Sequence, residues 1–248
     1  MKIIDINCDL GEGLPNDALL MPYISSANIA CGYHAGDDSI MKRTLVLAIA
    51  NKVAIGAHPG FLDKNNFGRT EMNLPLQQVY DLVALQINKL QVFAKSLGTK
   101  VQHVKPHGAL YNMSAKDHLL ANTIAQAVFD IDPSLVLFGL SGSYSISEAK
   151  SRGLSTASEV FADRTYCDDG SLTPRSQSNA MIESISDSLK QVFQMIDKQT
   201  VTTITGKQIM VKAETICIHG DGEQAVKFSK NIFEGLQKQS YQIKPKLN

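Results

Sequence analysis

The sequence predicts an α/β protein, specifically a (β/α) barrel of about seven parallel strands. Three observations predict it. Short β-rich runs alternate with helical patterns along the chain, the order that builds a parallel sheet. Several of those runs, such as KIIDI, VAIGA and LVLFGL, are continuously apolar, as strands buried on both faces are. The length of 248 residues matches the size at which one such barrel is complete. No linker, low-complexity stretch or internal repeat interrupts the pattern, so residues 1–248 are expected to form a single domain.

The expected strands are 2–9, 25–32, 53–58, 101–107, 135–141, 155–163 and 215–221. Helices lie between them. In 76–97, Val79, Leu82, Val83, Ile87, Leu90, Phe93, Ala94 and Leu97 recur at three- and four-residue steps, and Gly98 stops the helix. Ile182, Ile185, Leu189, Val192 and Ile196 do the same in 178–196, as do Ala225, Phe228, Ile232 and Leu236 in 222–236. One segment departs from the alternation. Residues 200–211, TVTTITGKQIMV, carry β-branched residues around Thr205-Gly206-Lys207 and are read as an inserted β-hairpin.

Composition narrows the function. Hydrophobic residues are 44% of the chain, enough for a sizeable core, and 24 basic residues balance 24 acidic ones. Without a basic run there is no electrostatic footprint for nucleic acid or an anionic membrane. Trp is absent and aromatics are only 6%, which argues against base stacking or a carbohydrate platform. The apolar run 45–50 is far too short to span a bilayer. Cys8, Cys31, Cys167 and Cys217 form no C-x-x-C pair, so a structural zinc site is not expected. With no export signal read at the N-terminus, a cytoplasmic setting with reduced thiols is expected.

The functional signal is where the polar residues fall. Nearly every expected strand ends in glycines and ionisable side chains: Asn7-Cys8-Asp9-Leu10-Gly11-Glu12, His34 to Asp37, Gly56-Ala57-His58, Lys105-Pro106-His107-Gly108, Glu159 with Asp163 and Arg164, and His219-Gly220-Asp221. In a parallel barrel those ends meet on one face. Asp9, Glu12, His34, Asp37, His58, Lys105, His107, Glu159 and His219 are therefore expected to line one pocket. The competing reading of any single cluster is a helix cap, for which Asp37 and Asp221 are well suited. Several histidines at one mouth suit general acid–base work, or a divalent metal held by Asp9 with His34, His58 or His107. Lys105 closes a buried strand and needs an anion, either a substrate group or Glu159 or Asp163. Arg69 and Arg175 sit in Gly- or Pro-bounded loops, where a planar guanidinium suits carboxylate or phosphate. Cys8 and Cys31 read as inert core thiols. No phosphate-binding P-loop, dinucleotide fingerprint or G-x-S-x-G elbow is present.

The strings DINCDLGEG (5–13), SANIACGYHAGD (26–37), GAHPGF (56–61), FGR (67–69), VKPHGALYN (104–112), SEVFADRTY (158–166), DGSLTPR (169–175) and ICIHGDG (216–222) resemble the LamB/YcsF family. The blocks run in order through nearly the whole chain. Ser178-Asn179-Ala180 departs from the Pro-Gly-Ala of the family at an expected helix start. The resemblance implies a barrel of the glycoside hydrolase/deacetylase type, acting as a catalytic domain. It also implies ATP-dependent cleavage of 5-oxo-L-proline to L-glutamate, with ATP and Mg2+ as co-substrate and PxpB and PxpC as partner subunits.

On the matched blocks, Asp9, Glu12, His34, His58, Lys105, His107 and His219 are assigned to catalysis. Asn7, Asp37, Arg69, Glu159, Asp163, Arg164 and Arg175 are assigned to substrate binding. A lactam is a stable amide, so its oxygen must be activated, water needs a base and the leaving nitrogen an acid. The missing nucleotide motif means that ATP binds here by another geometry or, as favoured, that a partner subunit performs the phosphorylation. Two other readings remain: a metal-dependent deacylase of an N-acyl sugar or small amide, and a polypeptide that only presents a ligand.

Overall fold

A computed structural model describes residues 2–220 and 225–247 of the chain. Seven parallel strands close a barrel: β1 (Lys2–Leu10), β2 (Ser26–Ala30), β3 (Ala54–His58), β4 (His103–Val104), β5 (Val136–Leu140), β6 (Ser155–Phe161) and, later in the chain, β9 (Thr215–Ile218). Each pairs with the next, β6 pairs with β9, and β9 returns to β1 through Asp5–Thr215 to Cys8–Ile218. Between β6 and β9 an antiparallel hairpin of β7 (Thr200–Thr202) and β8 (Gln208–Met210) stands apart, in the segment expected for it.

The outer layer contains α1 (Asp17–Leu20), α2 (Asp38–Asn51), α3 (Leu76–Ser96), α4 (Gly108–Lys116), α5 (His118–Ile131), α6 (Tyr144–Ser151), α7 (Ile185–Lys198) and α8 (Ala225–Lys238). In α3 the predicted stripe of Val79, Val83, Ile87, Leu90 and Ala94 is buried, while Leu85 and Val92 face solvent. His118 is exposed at the start of α5.

Period-two alternation sorts the strand side chains between two environments. Ile4, Ile6, Cys8 and Leu10 of β1, with Ile216 and Ile218 of β9, join the apolar layer shared with the helices. Asp5, Asn7 and Asp9 belong to a hydrogen-bonded interior network with Ser26, Asn28 and Thr215. One side of the barrel interior is therefore polar, where continuously apolar strands had suggested a hydrocarbon core on both faces. The complementary part is apolar: Val136, Phe138 and Ala157 form their own cluster, with Leu247 packed against it. His103 joins the two regions. Its ring stacks on Phe138 at 4.2 Å, and its Nε2 is 2.8 Å from Asn28 Oδ1. Gly56 makes this possible, because a Cβ there would collide with the imidazole of His103.

Several boundaries differ from expectation, each for a local reason. The ladder of β4 covers two residues rather than 101–107, and Pro106, which has no N–H, cannot extend it. The path nevertheless stays beside β3: Lys105 N–H donates to Ala57 O at 2.9 Å and His107 N–H to Pro59 O at 2.8 Å. The helix expected from 178 starts at Ile185, with Ser184 as its cap. Residues before it are tied to the loop after β6, where Ala180 O accepts from Thr165 N–H at 3.1 Å and from Arg164 Nε at 3.2 Å. Sequence periodicity did not reveal β10 (Tyr241–Ile243), which pairs with Lys2–Ile4 of β1. Asp221, expected as a strand end or helix cap, and the start of the 222–236 helix lie outside the described residues.

Asp5 lies fully buried at the lower end of the interior network. Ser25 Oγ and Ser26 Oγ donate to its Oδ1 at 2.5 and 2.8 Å, and Thr215 Oγ1 donates to its Oδ2 at 2.5 Å. Burial outweighs these bonds and pushes its carboxyl from 3.8 up to about 6. A raised acid stabilises the fold while protonated and loses that contribution as pH rises from the unfolded value through the folded one. Relative to wild type, Asp5→Asn should therefore gain about 2.4 kcal/mol between pH 4 and pH 7. Urea denaturation of both proteins across that range checks this; a constant gap would show that the three hydroxyls hold Asp5 ionised.

Candidate active site

The carboxyl ends of the strands open into a cavity of about 250 Å³. Asp9, Glu12, His58, Lys105, His107 and His219 line it, and Arg69, Arg164 and Arg175 stand in its walls. The strand ends thus bring together nine of the fourteen residues expected at the site.

Lys105 is the centre of the floor. Its Nζ is 2.9 Å from Asp9 Oδ1, 2.9 Å from Glu159 Oε1, 3.2 Å from Asn7 Oδ1 and 3.1 Å from Cys217 Sγ. Burial alone would discharge the lysine, but Asp9, Cys217 and Glu159 outweigh it and hold the ammonium well above its ordinary pKa. Burial likewise opposes the Asp9 charge, yet His58 and Lys105 hold that carboxyl well below the usual range. Asn7 braces the pair: its amide donates to Glu159 Oε1 at 2.8 Å and to Thr215 Oγ1 at 2.7 Å. Asn28 donates to Asn7 Oδ1 and Asp9 Oδ1, both at 2.8 Å.

One wall is built from three imidazoles. His58 Nδ1 lies 2.6 Å from Lys105 O, and His107 Nε2 lies 2.9 Å from Phe67 O. His58 Nε2 and His107 Nδ1 then face each other at 2.8 Å. His34 stacks on His107 with centroids 3.7 Å apart and planes 4° from parallel. Burial first, then the neighbouring imidazoles, hold His34 and His107 well below the ordinary histidine pKa. The 67–69 loop covers this stack. It can do so because Gly68, at φ +67°, has no side chain: a Cβ would meet His34 Cβ at 2.6 Å and His107 Cδ2 at 2.9 Å. Glu12 arrives from the turn after β1, which Asp17 pins by accepting from Gly11 N–H at 3.0 Å and Thr44 Oγ1 at 2.8 Å.

The opposite wall carries a second, separate histidine. His219 Nδ1 is 2.9 Å from both oxygens of Asp163, whose Oδ2 also accepts the backbone N–H of His219 at 3.1 Å. Burial works against the Asp163 charge, but His219 holds its carboxyl below the ordinary value. With Nδ1–H directed at the carboxylate, Nε2 of His219 is the acceptor, the arrangement of an oriented general base. Arg164 shapes this wall: its Nη2 donates to Thr173 O at 2.6 Å, fixing the 172–175 loop. Burial and the nearby Arg175 lower the Arg164 pKa to about 10.

Five of the singled-out residues do not line the cavity. Asp37 caps α2, accepting from Ser39 N–H and Ile40 N–H at 2.9 Å each, and is exposed away from the mouth. Asn7 and Glu159 lie beneath the floor as partners of Lys105, and Asp163 lies behind His219. His34 is shielded by its stack with His107. In their place the cavity recruits Phe67, Tyr111, Asn112, Phe161 and Leu172. Tyr111 and Asn112 belong to the VKPHGALYN string, whose one-turn offset from His107 on a helix was the available signal. Cys8, Cys31 and Cys217 are buried thiols, as inert core positions require. Among the described residues no helix is long and apolar enough to cross a membrane.

The model of the LamB/YcsF family matches residues 4–248. The chain is 51% identical over 249 residues to a 5-oxoprolinase subunit from Tolumonas auensis, covering 98% of this chain and 99% of that relative. Its fold superposes on the crystal structure of the lactam utilization protein from Thermus thermophilus with a TM-score of 0.91 and 37% identity, covering 98% and 99% of the two chains. A family 4 carbohydrate esterase from Streptomyces lividans shares the fold at a TM-score of 0.52 and 10% identity, covering 98% of this chain and 91% of that one.

Because Lys105 compensates two buried carboxylates, Lys105→Met should destabilise the protein by about 3–5 kcal/mol. Adding Glu159→Gln should restore part of the loss. Guanidinium denaturation of the single and double variants checks this; equal stability of Lys105→Met and wild type would mean that water reaches the pair.

Proposed function

The chain belongs to the LamB/YcsF family, and from that premise we propose that it is the ring-opening component of an ATP-dependent 5-oxoprolinase. It cleaves 5-oxo-L-proline to L-glutamate, coupled to hydrolysis of ATP to ADP and phosphate. The carrying observation is a small cavity whose floor is a buried ammonium and whose wall is an Asp163–His219 dyad, in a chain half identical to a component of that enzyme. The catalytic domain is the whole barrel, residues 1–248. It works in the cytoplasm, where its buried thiols stay reduced.

The residue chemistry supports this reading. The lactam oxygen leaves the amide resonance once it carries a phosphoryl group, and water can then add to the ring carbon. His219, oriented by Asp163, takes the proton of that water and returns it to the departing ring nitrogen. Ring opening leaves an acyl phosphate of glutamate, and a second water releases the phosphate. The Lys105 ammonium stabilises negative charge that develops on the oxygens of the tetrahedral intermediate, in a site where burial strengthens the interaction. Arg69 and Arg175 line the cavity and suit the carboxylate and phosphoryl oxygens. Phe161, Leu172 and Tyr111 supply an apolar face for the ring methylenes.

A cavity of about 250 Å³ is below the roughly 300–1,000 Å³ of sites for larger ligands. It suits a small phosphorylated ring better than a ring together with a nucleotide. We therefore assign ATP and Mg2+ to the partner subunits, PxpB and PxpC, which deliver the phosphorylated lactam.

The test is 5-oxoproline-dependent ATP hydrolysis, measured with this chain alone and with both partners. Turnover should require all three. Asp163→Asn should lower it by roughly 10³–10⁴-fold by leaving His219 in the wrong tautomer. Lys105→Ala should cost orders of magnitude, and Lys105→Arg should not rescue it, because a planar fork cannot occupy the same point. A well-folded Lys105→Ala with normal turnover would reduce that lysine to a structural ion pair. Glutamate formation by this chain without ATP would overturn the division of labour.

A further inference from the structure

We infer that His58 and His107 hold a divalent transition-metal ion between them, with Asp9 and Glu12 as its carboxylate ligands. A backbone carbonyl only accepts. His58 Nδ1, 2.6 Å from Lys105 O, must therefore carry a proton, and so must His107 Nε2, 2.9 Å from Phe67 O. In neutral rings the remaining nitrogens, His58 Nε2 and His107 Nδ1, each present a lone pair. The fold nevertheless points them at each other across 2.8 Å. Two facing lone pairs repel, so an electrophile belongs in that gap.

The surroundings favour a metal ion over a single shared proton. A shared proton needs only two acceptors, whereas carboxylates also converge here. Asp9 Oδ1 is committed to Asn28 and Lys105, while Oδ2 lies 3.3 Å from His58 Nε2. Glu12 Oε1 lies 3.5 Å from His107 Nδ1 and 3.4 Å from His34 Nε2. Ligand atoms of Glu12, His34, His58 and His107 all fall within 4.8 Å of one another. Both outer N–H groups are anchored on backbone carbonyls, and this is how proteins fix the tautomer of a metal-binding imidazole. His34 is a further pointer: it is only 1% exposed, and neither of its ring nitrogens has a hydrogen-bond partner. In its present orientation it remains outside the ligand set. An ion lies in the plane of the imidazole that binds it, and His34 is stacked parallel to His107.

Two imidazoles and two carboxylates suit zinc or a similar first-row ion better than calcium or copper(I). Two bonds of about 2.0–2.1 Å at a tetrahedral angle separate the nitrogens by about 3.4 Å. Loading would therefore open the His58–His107 gap by roughly half an ångström. All four ligand residues line the cavity, so an exchangeable position would face the substrate. The ion would polarise a bound water or oxygen there.

Metal content decides the matter without any substrate. Chelator-stripped full-length protein is incubated with Zn2+ or Co2+, freed of excess by gel filtration and analysed by mass spectrometry. Wild type should retain about one equivalent, show the visible absorption of tetrahedral cobalt, and melt at higher temperature with zinc than without. His58→Ala and His107→Ala should weaken binding by more than roughly 100-fold and lose the zinc-dependent shift. Glu12→Gln is the milder variant should either histidine change fail to fold. His219→Ala should keep the metal; its loss there would move the ion to the Asp9, Cys217 and His219 group and overturn the assignment. A wild type that retains neither ion, with one strongly deshielded proton shared by the two histidines, would overturn it as well.

Discussion

A buried lysine ammonium organises the functional end of this barrel. Lys105 keeps its charge there only because Asp9 and Glu159 lie 2.9 Å away, and Asp9 in turn is held ionised by His58 and Lys105. Their mutual dependence ties β1, β6 and the extension of β4 to one point. Asn7 and Asn28 fill the remaining hydrogen-bonding capacity, so the group has little freedom to relax. That rigidity sets where Asp9 Oδ2 points, and hence where His58 meets it.

Around this floor the two histidine systems have different electrostatic characters. His219 is oriented by the Asp163 carboxylate, which its Nδ1 meets at 2.9 Å, leaving Nε2 toward the cavity side of the pair. His34 and His107 are crowded by each other, by His58 and by protein, which disfavours their charged forms. One wall can thus exchange protons while the other offers lone pairs.

The polar interior also explains an energetic choice in the fold. A seven-stranded barrel has room for side chains only, and here Asp5, Asn7, Asn28, Glu159 and Thr215 occupy space that hydrocarbon would fill at less risk. These groups are tolerable because nearly every donor finds an acceptor, and because Val136, Phe138 and Ala157 pack the complementary part. The interior network therefore holds Lys105 and Asp9 in place from below, and the loops of 67–69 and 172–175 close over them from above.

Periodicity alone determined much of this molecule. The alternation of apolar runs and helical stripes specified a parallel barrel, its seven closing strands and the 200–211 hairpin, because burial on two faces leaves a strong local pattern. The position of polar residues at strand ends placed Asp9, His58, Lys105, His107 and His219 together, since parallel strands must all end on one face. What local sequence could not carry was depth and direction. Asp37 reads the same whether it faces a cavity or caps a helix, and only the turn into α2 decided for the cap. Asn7 and Glu159 became supports rather than lining because a lysine from another strand reached them first. The short strand β10 and the apolar wall of Phe161 and Leu172 depend on partners far away in the chain. Likewise only folding brought His58 Nδ1 and His107 Nε2 within 2.6 and 2.9 Å of backbone carbonyls.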